Sequence, residues 1–192
     1  MQQTQTTKND ELNIISYFSE MDLPEDEIQR RIDFAKRLEV ILRSAFAETM
    51  TREEIIEYIA THYRATIEED YDWIDEYFEE YIWVTAESVT DTTLNGREMT
   101  DGRITSIAVN DTNVIANHGY DERMKKQGYT RKRWYTMNDN RVRHTHILAD
   151  GQEVGIDETF KVGTCEMRYP CDTSLGAAAS EIINCRCVAK YF

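Results

Sequence analysis

Apolar positions recur at helical spacing through the first half of the chain and at strand-like spacing in parts of the second. Ile28, Ile32, Ala35, Leu38, Leu42, Ala45 and Phe46 fall three or four apart, which puts them on one face of a 3.6-residue-per-turn helix. The stretch Asp22-Leu23-Pro24-Glu25-Asp26-Glu27 opens that helix, since proline suits the first turn and acids there oppose the positive end of the macrodipole. Thr51-Arg52-Glu53-Glu54 has the form of a capping box. A second stripe then runs through Ile56, Ile59, Tyr63, Ile67, Ile74, Phe78 and Tyr81 as one further helix. A shorter helix is expected around Leu12 to Met21. Tyr71, Trp73, Tyr77, Tyr81 and Trp83 crowd the end of the second stripe; they either pack against the second half of the chain or form a subunit interface.

No glycine or proline occurs between Pro24 and Gly96, and all eight glycines lie from Gly96 onward. Breakers are therefore confined to the second half. The expected fold class is α+β: a helical arm or bundle over residues 1–98, then a small α+β domain over 99–192. In that domain, Thr100 to Gln127 reads as a helix with Ile104, Ile107, Ala108 and Ile115 on one side and Gly128 as its stop. Arg131 to Met137 alternates and carries Trp134 and Tyr135, so it reads as a strand. Asp139-Asn140 and Asp150-Gly151 read as turns. Ile182 to Phe192 is a second β-rich run, whose nearest candidate partner is the first.

Composition narrows the class. The chain is 41% hydrophobic, enough for a core, and 30% charged. No apolar run approaches the ~20 residues that span a bilayer, and Met1 to Lys8 lacks the apolar stretch of a secretory signal. The expectation is a protein made in a cytoplasm, with no membrane partner. A net charge of −14 argues against general nucleic-acid binding. The charge is uneven, however. From Asp121 to Arg143 eight basic residues face three acids, a local excess of five. Two readings stand: a solvated face balanced by the acidic helix, or DNA phosphate contact through Lys125, Lys126, Arg131 and Lys132.

The four cysteines, Cys165, Cys171, Cys185 and Cys187, all fall in the last 28 residues, with His144 and His146 just upstream. Thiolates and imidazoles are zinc ligands, but the spacing is unfavourable. Cys185 and Cys187 on one strand would sit about 6.6 Å apart along it, so both reach one ion only if the strand bends. Reduced, buried cysteines with a hydrogen-bonded histidine are the alternative, and a disulfide is the third. No GxSxG, P-loop or HExxH is present. His144 or His146 beside Asp139, Arg141 and Arg143 could be drawn as an acid–base site on a phosphodiester, the basis of a small nuclease-like or toxin-like enzyme. A zinc-stabilised nucleic-acid-binding module is a further reading.

One ordered set of motifs is more specific. Lys132-Arg133-Trp134 precedes Asp139-Asn140-Arg141-Val142-Arg143 and His146, then Asp150-Gly151-Gln152. Ile156 to Phe160, Tyr169-Pro170-Cys171-Asp172 and Asn184-Cys185-Arg186-Cys187 follow in order. This series resembles the signature of phage Mu F-like and SPP1-type head morphogenesis proteins. The resemblance implies a non-enzymatic minor protein of a tailed-phage head, located in the capsid interior. Its partners would be the portal and the major capsid or scaffold proteins, with packaged DNA as a further contact. It implies no cofactor, zinc being the one candidate, and nothing toxin-like after Phe192. The helical first half lies outside it. Within the signature, Trp134 is the apolar anchor. Arg141, Arg143 and Arg186 are expected to pair with Asp139, Asp150 or Asp172, and Asp150-Gly151 to make a tight turn. His146, Cys185 and Cys187 are pattern positions; Cys165 and Cys171 are not. The first three are therefore expected to close the domain as a structural lock, by burial in preference to metal.

Overall fold

The computed structural model describes residues 14–47, 49–71 and 74–192. The expectations for Leu12, Trp73 and the first eight residues lie outside that set. The chain forms two compact units, one of Ile32–Ala108 and the other of Ile15–Arg31 with Val109–Phe192. The boundary expected at residue 98 falls in the connection before the long helix Asp101–Lys126, whereas the units divide within helices.

The Ile32–Ala108 unit is helical. Helix α1 covers residues 14–19; α2 spans Glu25–Ala45, α3 Arg52–Tyr71 and α4 Glu76–Leu94. The expected stripe of α2 supplies buried Ile32, Ala35, Leu38, Leu42 and Ala45, joined by Phe34 and Ile41. Helix α3 adds Ile55, Ile56, Ile59, Tyr63 and Ile67, and α4 adds Phe78, Ile82, Ala86 and Val89. The capping box forms: Thr51 N donates to Glu54 Oε2 at 2.7 Å, and Glu54 N to Thr51 Oγ1 at 3.3 Å. These bonds from the Thr51 backbone and hydroxyl hold the Glu54 carboxyl below its ordinary pKa.

The single helix expected from Thr51 through Tyr81 is in fact two. Helix α3 ends at Tyr71, and Asp75 caps α4 in an extended conformation, accepting from Phe78 N at 2.9 Å. An aspartate needs no glycine or proline to stop a helix, because its carboxylate offers a free N–H of the next first turn a better partner. The apolar period carried across the break and concealed it.

In the second unit, α5 (Asp101–Lys126) ends as expected at Gly128. Tyr129 N reaches Met124 O at 3.2 Å and Gly128 N reaches Lys125 O at 2.9 Å. This crossed pair requires the left-handed φ of +88° that Gly128 adopts. Strand β1 (Arg131–Tyr135) is the centre of a three-stranded antiparallel sheet, between β2 (Glu153–Gly155) and a C-terminal strand, Val188–Tyr191. Trp134 lies opposite Ala189 in that register. The pairing of the two β-rich runs is thus as expected, but the second run is shorter. Ile182 ends a helical turn, Ala179–Ile182, and residues 183–187 are irregular. A hairpin of β3 (Phe160–Val162) and β4 (Cys165–Met167) turns at Gly163, φ +62°. The core holds Trp134, Phe160, Val162, Met167 and Val188, with the Trp134 and Phe160 rings edge to face at 5.4 Å. The short helices are α6 (His144–Ala149) and α7 (Ala179–Ile182), and the last strand is β5.

Candidate functional site

The site lies in the second unit, where the first and last blocks of the signature meet. Helix α6 buries His146 and Ala149 and exposes Ile147 and Leu148, so the imidazole points into the core. Before β5 the chain bends at Asn184, φ +58°, and Cys185 N closes a turn on Ile182 O at 3.0 Å. The bend takes Cys185 and Cys187 out of the strand that was expected to hold them about 6.6 Å apart. His146 Nδ1 is 3.2 Å from Cys187 Sγ and 3.6 Å from Cys185 Sγ. The other ring nitrogen, Nε2, meets Glu181 Oε2 of α7 at 3.0 Å. That oxygen also accepts from Thr145 Oγ1 at 2.8 Å. Trp134 stands edge-on to the imidazole, 5.7 Å between centroids. A narrow recess lined by Met137, Arg143, His146, Cys185 and Cys187 opens beside the group.

Cys171, outside the expected set, belongs to this cluster. It is buried, with φ +65°, and its thiol is hydrogen-bonded to the Cys185 sulfur. Cys165 remains apart in β4, half-buried. The hydrogen bonds from Cys171 and Cys187 hold the Cys185 thiol well below its ordinary pKa, while the pKa values of its two donors rise. Burial disfavours a charge on His146, yet the hydrogen bond and charge of Cys185, with Glu181, raise its pKa. The group is therefore a buried thiolate beside an imidazolium, satisfied from both sides.

Two further polar ties close the unit. Arg186 Nη2 donates to both oxygens of Asp139, at 2.9 and 2.7 Å, and its Nη1 donates to Glu20 Oε2 at 2.9 Å. The Arg186 hydrogen bond holds the Asp139 carboxyl below its ordinary pKa. The pairing expected of the signature is realised here alone in full. Arg141 turns mainly to Glu20, with Asp139 at 3.4 Å, and Arg143 donates to the Ile183 carbonyl. Asp150 and Asp172 do not meet arginines. Their carboxylates accept backbone N–H groups, Asp150 from Thr136 at 2.7 Å and Asp172 from Arg168 at 2.8 Å. A short carboxylate beside a turn reaches a local N–H before it reaches a distant guanidinium. Asp150-Gly151 does turn, with Gly151 at φ +76°.

The third tie centres on Asp121, which is fully buried. It accepts from the Tyr191 hydroxyl at 2.8 Å, lies 3.4 Å from Lys132 Nζ and is 2.9 Å from Lys125 Nζ. This corrects the expected set of DNA contacts. Lys132 has no exposed surface, and burial pushes its ammonium pKa down against the opposing pull of Asp121. It cannot reach a phosphate. Lys125 is held by Asp121 and Glu122, and Arg131 pairs with Glu153 at 3.0 Å. Lys126 and Arg131 remain exposed.

The sequence pattern also gave no hint of Glu20, Tyr17 or Glu181. Tyr17 OH donates to Cys185 O at 2.7 Å and accepts from Asn113 Nδ2 at 2.8 Å. Residues so far from the signature carry no local mark of their partners.

Comparison with known families decides the assignment. The model described as "Phage Mu protein F like protein" matches residues 85–190, more than half of the chain. The chain belongs to the phage Mu protein F like family. That family is one of phage head morphogenesis, and its α+β module accounts for the whole ordered signature from Lys132 to Cys187. Residues 15–31, which pack within the same compact unit, precede the match. The Mu F-like chain is also 34% identical over 74 residues to the NAD(+)–arginine ADP-ribosyltransferase EFV of Enterococcus faecalis (strain ATCC 700802 / V583). That stretch is 38% of this chain and 15% of the transferase. No solved structure matches. No described helix is long and apolar enough to cross a membrane.

Proposed function

We propose that this chain is a minor structural protein of a tailed-phage head, held at low copy in the capsid interior against the portal and the major capsid or scaffold proteins. The observation that carries the reading is the family match across residues 85–190. In this reading His146, Cys185 and Cys187 are the structural lock of the C-terminal unit, and Trp134, Asp139, Arg141, Arg143, Asp150, Gly151 and Arg186 form its frame. The chain does no chemistry of its own. His146 is buried and committed to Cys187 and Glu181, which supports a structural use over an acid–base one. The likeness to the transferase spans 15% of that protein and is read as a shared module, without its reaction.

Packaged DNA is a secondary contact through Lys126 and Arg131, the two expected cations that stay exposed. The test is sedimentation of particles from infected cells. The chain is expected to travel with procapsids or filled heads at a few copies per particle. Recovery in the free host fraction alone would overturn the assignment. A purified chain that cleaves DNA, with the activity lost in His146→Ala, would replace it with the nuclease reading.

A further inference from the structure

The buried His146 cluster has the geometry of a ligand set. The ligand atoms of His146, Cys185 and Cys187 all lie within 4.8 Å of one another, and all three residues are buried. Zinc bonds of about 2.3 Å to sulfur and about 2.05 Å to nitrogen, at tetrahedral angles, separate a bound nitrogen from a bound sulfur by about 3.5 Å. The two separations from His146 Nδ1 are 3.2 and 3.6 Å. A hydrogen-bonded pair in a core has no need to hold two sulfurs against one ring nitrogen.

The surroundings repeat the pattern of a metal-bound histidine. Such an imidazole is oriented by a carboxylate on its other nitrogen, and here Nε2 faces Glu181 Oε2 at 3.0 Å, an oxygen fixed in turn by Thr145 Oγ1. The buried Trp134 Nε1 has no oxygen or nitrogen acceptor, and its N–H favours the thiolate of the adjacent Cys187. Cys171 lies against the Cys185 sulfur and makes otherwise only long contacts, 3.8 and 3.9 Å, to two carbonyls. Its left-handed φ of +65° is strained for a residue with a side chain, and it brings a fourth sulfur to the group. The bend at Asn184 removes the one geometric objection to ligation, the extended Cys185–Cys187 spacing.

We propose that His146 Nδ1, Cys185 Sγ and Cys187 Sγ bind a divalent cation of the zinc class as a structural centre, with Cys171 Sγ as the fourth ligand. Two thiolates, an imidazole and a thiol suit a borderline-soft d10 ion over magnesium or calcium, which prefer oxygen. On binding, Cys185 and Cys187 coordinate as thiolates and their protons leave to solvent. His146 coordinates as the neutral imidazole, its proton kept on Nε2 and donated to Glu181. The centre would join α6 and α7 to the bend that leads into β5. This inference does not depend on the head-protein reading.

The test uses the full chain, purified without chelator or added metal. Elemental analysis is expected to find about one zinc per chain. Replacement by Co2+ is expected to give a thiolate-to-cobalt charge-transfer band and the intense d–d bands of a tetrahedral site. Cys187→Ser and His146→Ala are expected to lose both metal and bands, and Cys165→Ser to keep them. Cys171→Ser should weaken binding and shift the d–d bands. Glu181→Ala, which removes only the orienting carboxylate, should lower affinity about 10–100-fold. Should a ligand variant fail to fold, wild type decides the matter alone: chelator should lower its melting temperature, and zinc restore it. A wild-type chain that carries no zinc, gives no cobalt bands and melts identically with and without chelator would overturn the site. So would full metal content in Cys187→Ser.

Discussion

The two units of this chain are held by different kinds of contact. The Ile32–Ala108 unit buries isoleucine, leucine and aromatic rings in helical stripes, and its ion pairs, such as Arg52 Nε to Asp91 at 2.6 Å, lie at the surface. The unit built on β1 and β5 buries charge. Asp121 and Lys132 have no exposed surface, His146 has 1%, and the guanidinium of Arg186 is nearly enclosed. A helical bundle tolerates exchange of its apolar residues as long as volume and pattern are kept. A buried polar network does not, since loss of one member strands the others without partners. The contrast explains why a signature persists in one unit as particular residues at particular places, and why the other shows only a period.

The largest expected effects test whether the apolar anchors differ as sharply as the polar ones. Trp134→Ala should cost about 3–5 kcal/mol and Leu42→Ala about 2–5 kcal/mol, measured by denaturant unfolding. Similar costs would show that apolar packing matters equally in both units and that the difference rests on the polar ties alone. Next comes Arg186→Met, which keeps much of the volume but removes the donors to Asp139 and Glu20. It should destabilise clearly. Leu42→Met, the matching volume-conserving exchange in the helices, should cost less than about 1.5 kcal/mol.

Acid should act on the same tie. Asp139 has a pKa lowered by Arg186. Its contribution is present above the ordinary aspartate value of about 3.9 and is lost as the pH falls through the lowered value. Melting temperatures between neutral and strongly acidic pH should therefore fall more steeply in wild type than in Asp139→Asn over that interval. Parallel curves would remove the tie. Smaller effects belong to the helix starts, where Thr51→Ala and Asp75→Ala should each cost about 1 kcal/mol. Lys126→Glu with Arg131→Glu should leave folding within about 0.5 kcal/mol. If DNA is a contact, the pair should abolish weak, salt-sensitive binding; binding that persists would remove these two cations from the interface.

Much of this was legible in the sequence, in proportion to how local each signal is. The stripe of α2, the Thr51 box and the Gly128 stop each depend on residues within a few positions, and each is found as read. The break between α3 and α4 was hidden because the apolar period continued through it. The β1–β5 pairing followed from two β-rich runs that lacked other partners. The meeting of His146 with Cys185 and Cys187 was legible only through the ordered motifs. Cys171 and Glu181 were not legible, since they arrive through the φ of Cys171 and the short helix α7. Lys132 misled because charge on a strand reads as exposure unless its buried partner, here Asp121, is known.

The central claim is that the C-terminal unit is closed by the contacts of His146 with Cys185 and Cys187. The most direct measurement is amide hydrogen exchange on the β1 and β5 amides, Arg131–Tyr135 and Val188–Tyr191, in wild type and His146→Ala. Loss of the imidazole should release the segment carrying Cys185 and Cys187, so the amides of β5 and its partner β1 should exchange at least tenfold faster, about 1.4 kcal/mol of lost protection. Unchanged protection of both strands in a folded His146→Ala variant would contradict the claim.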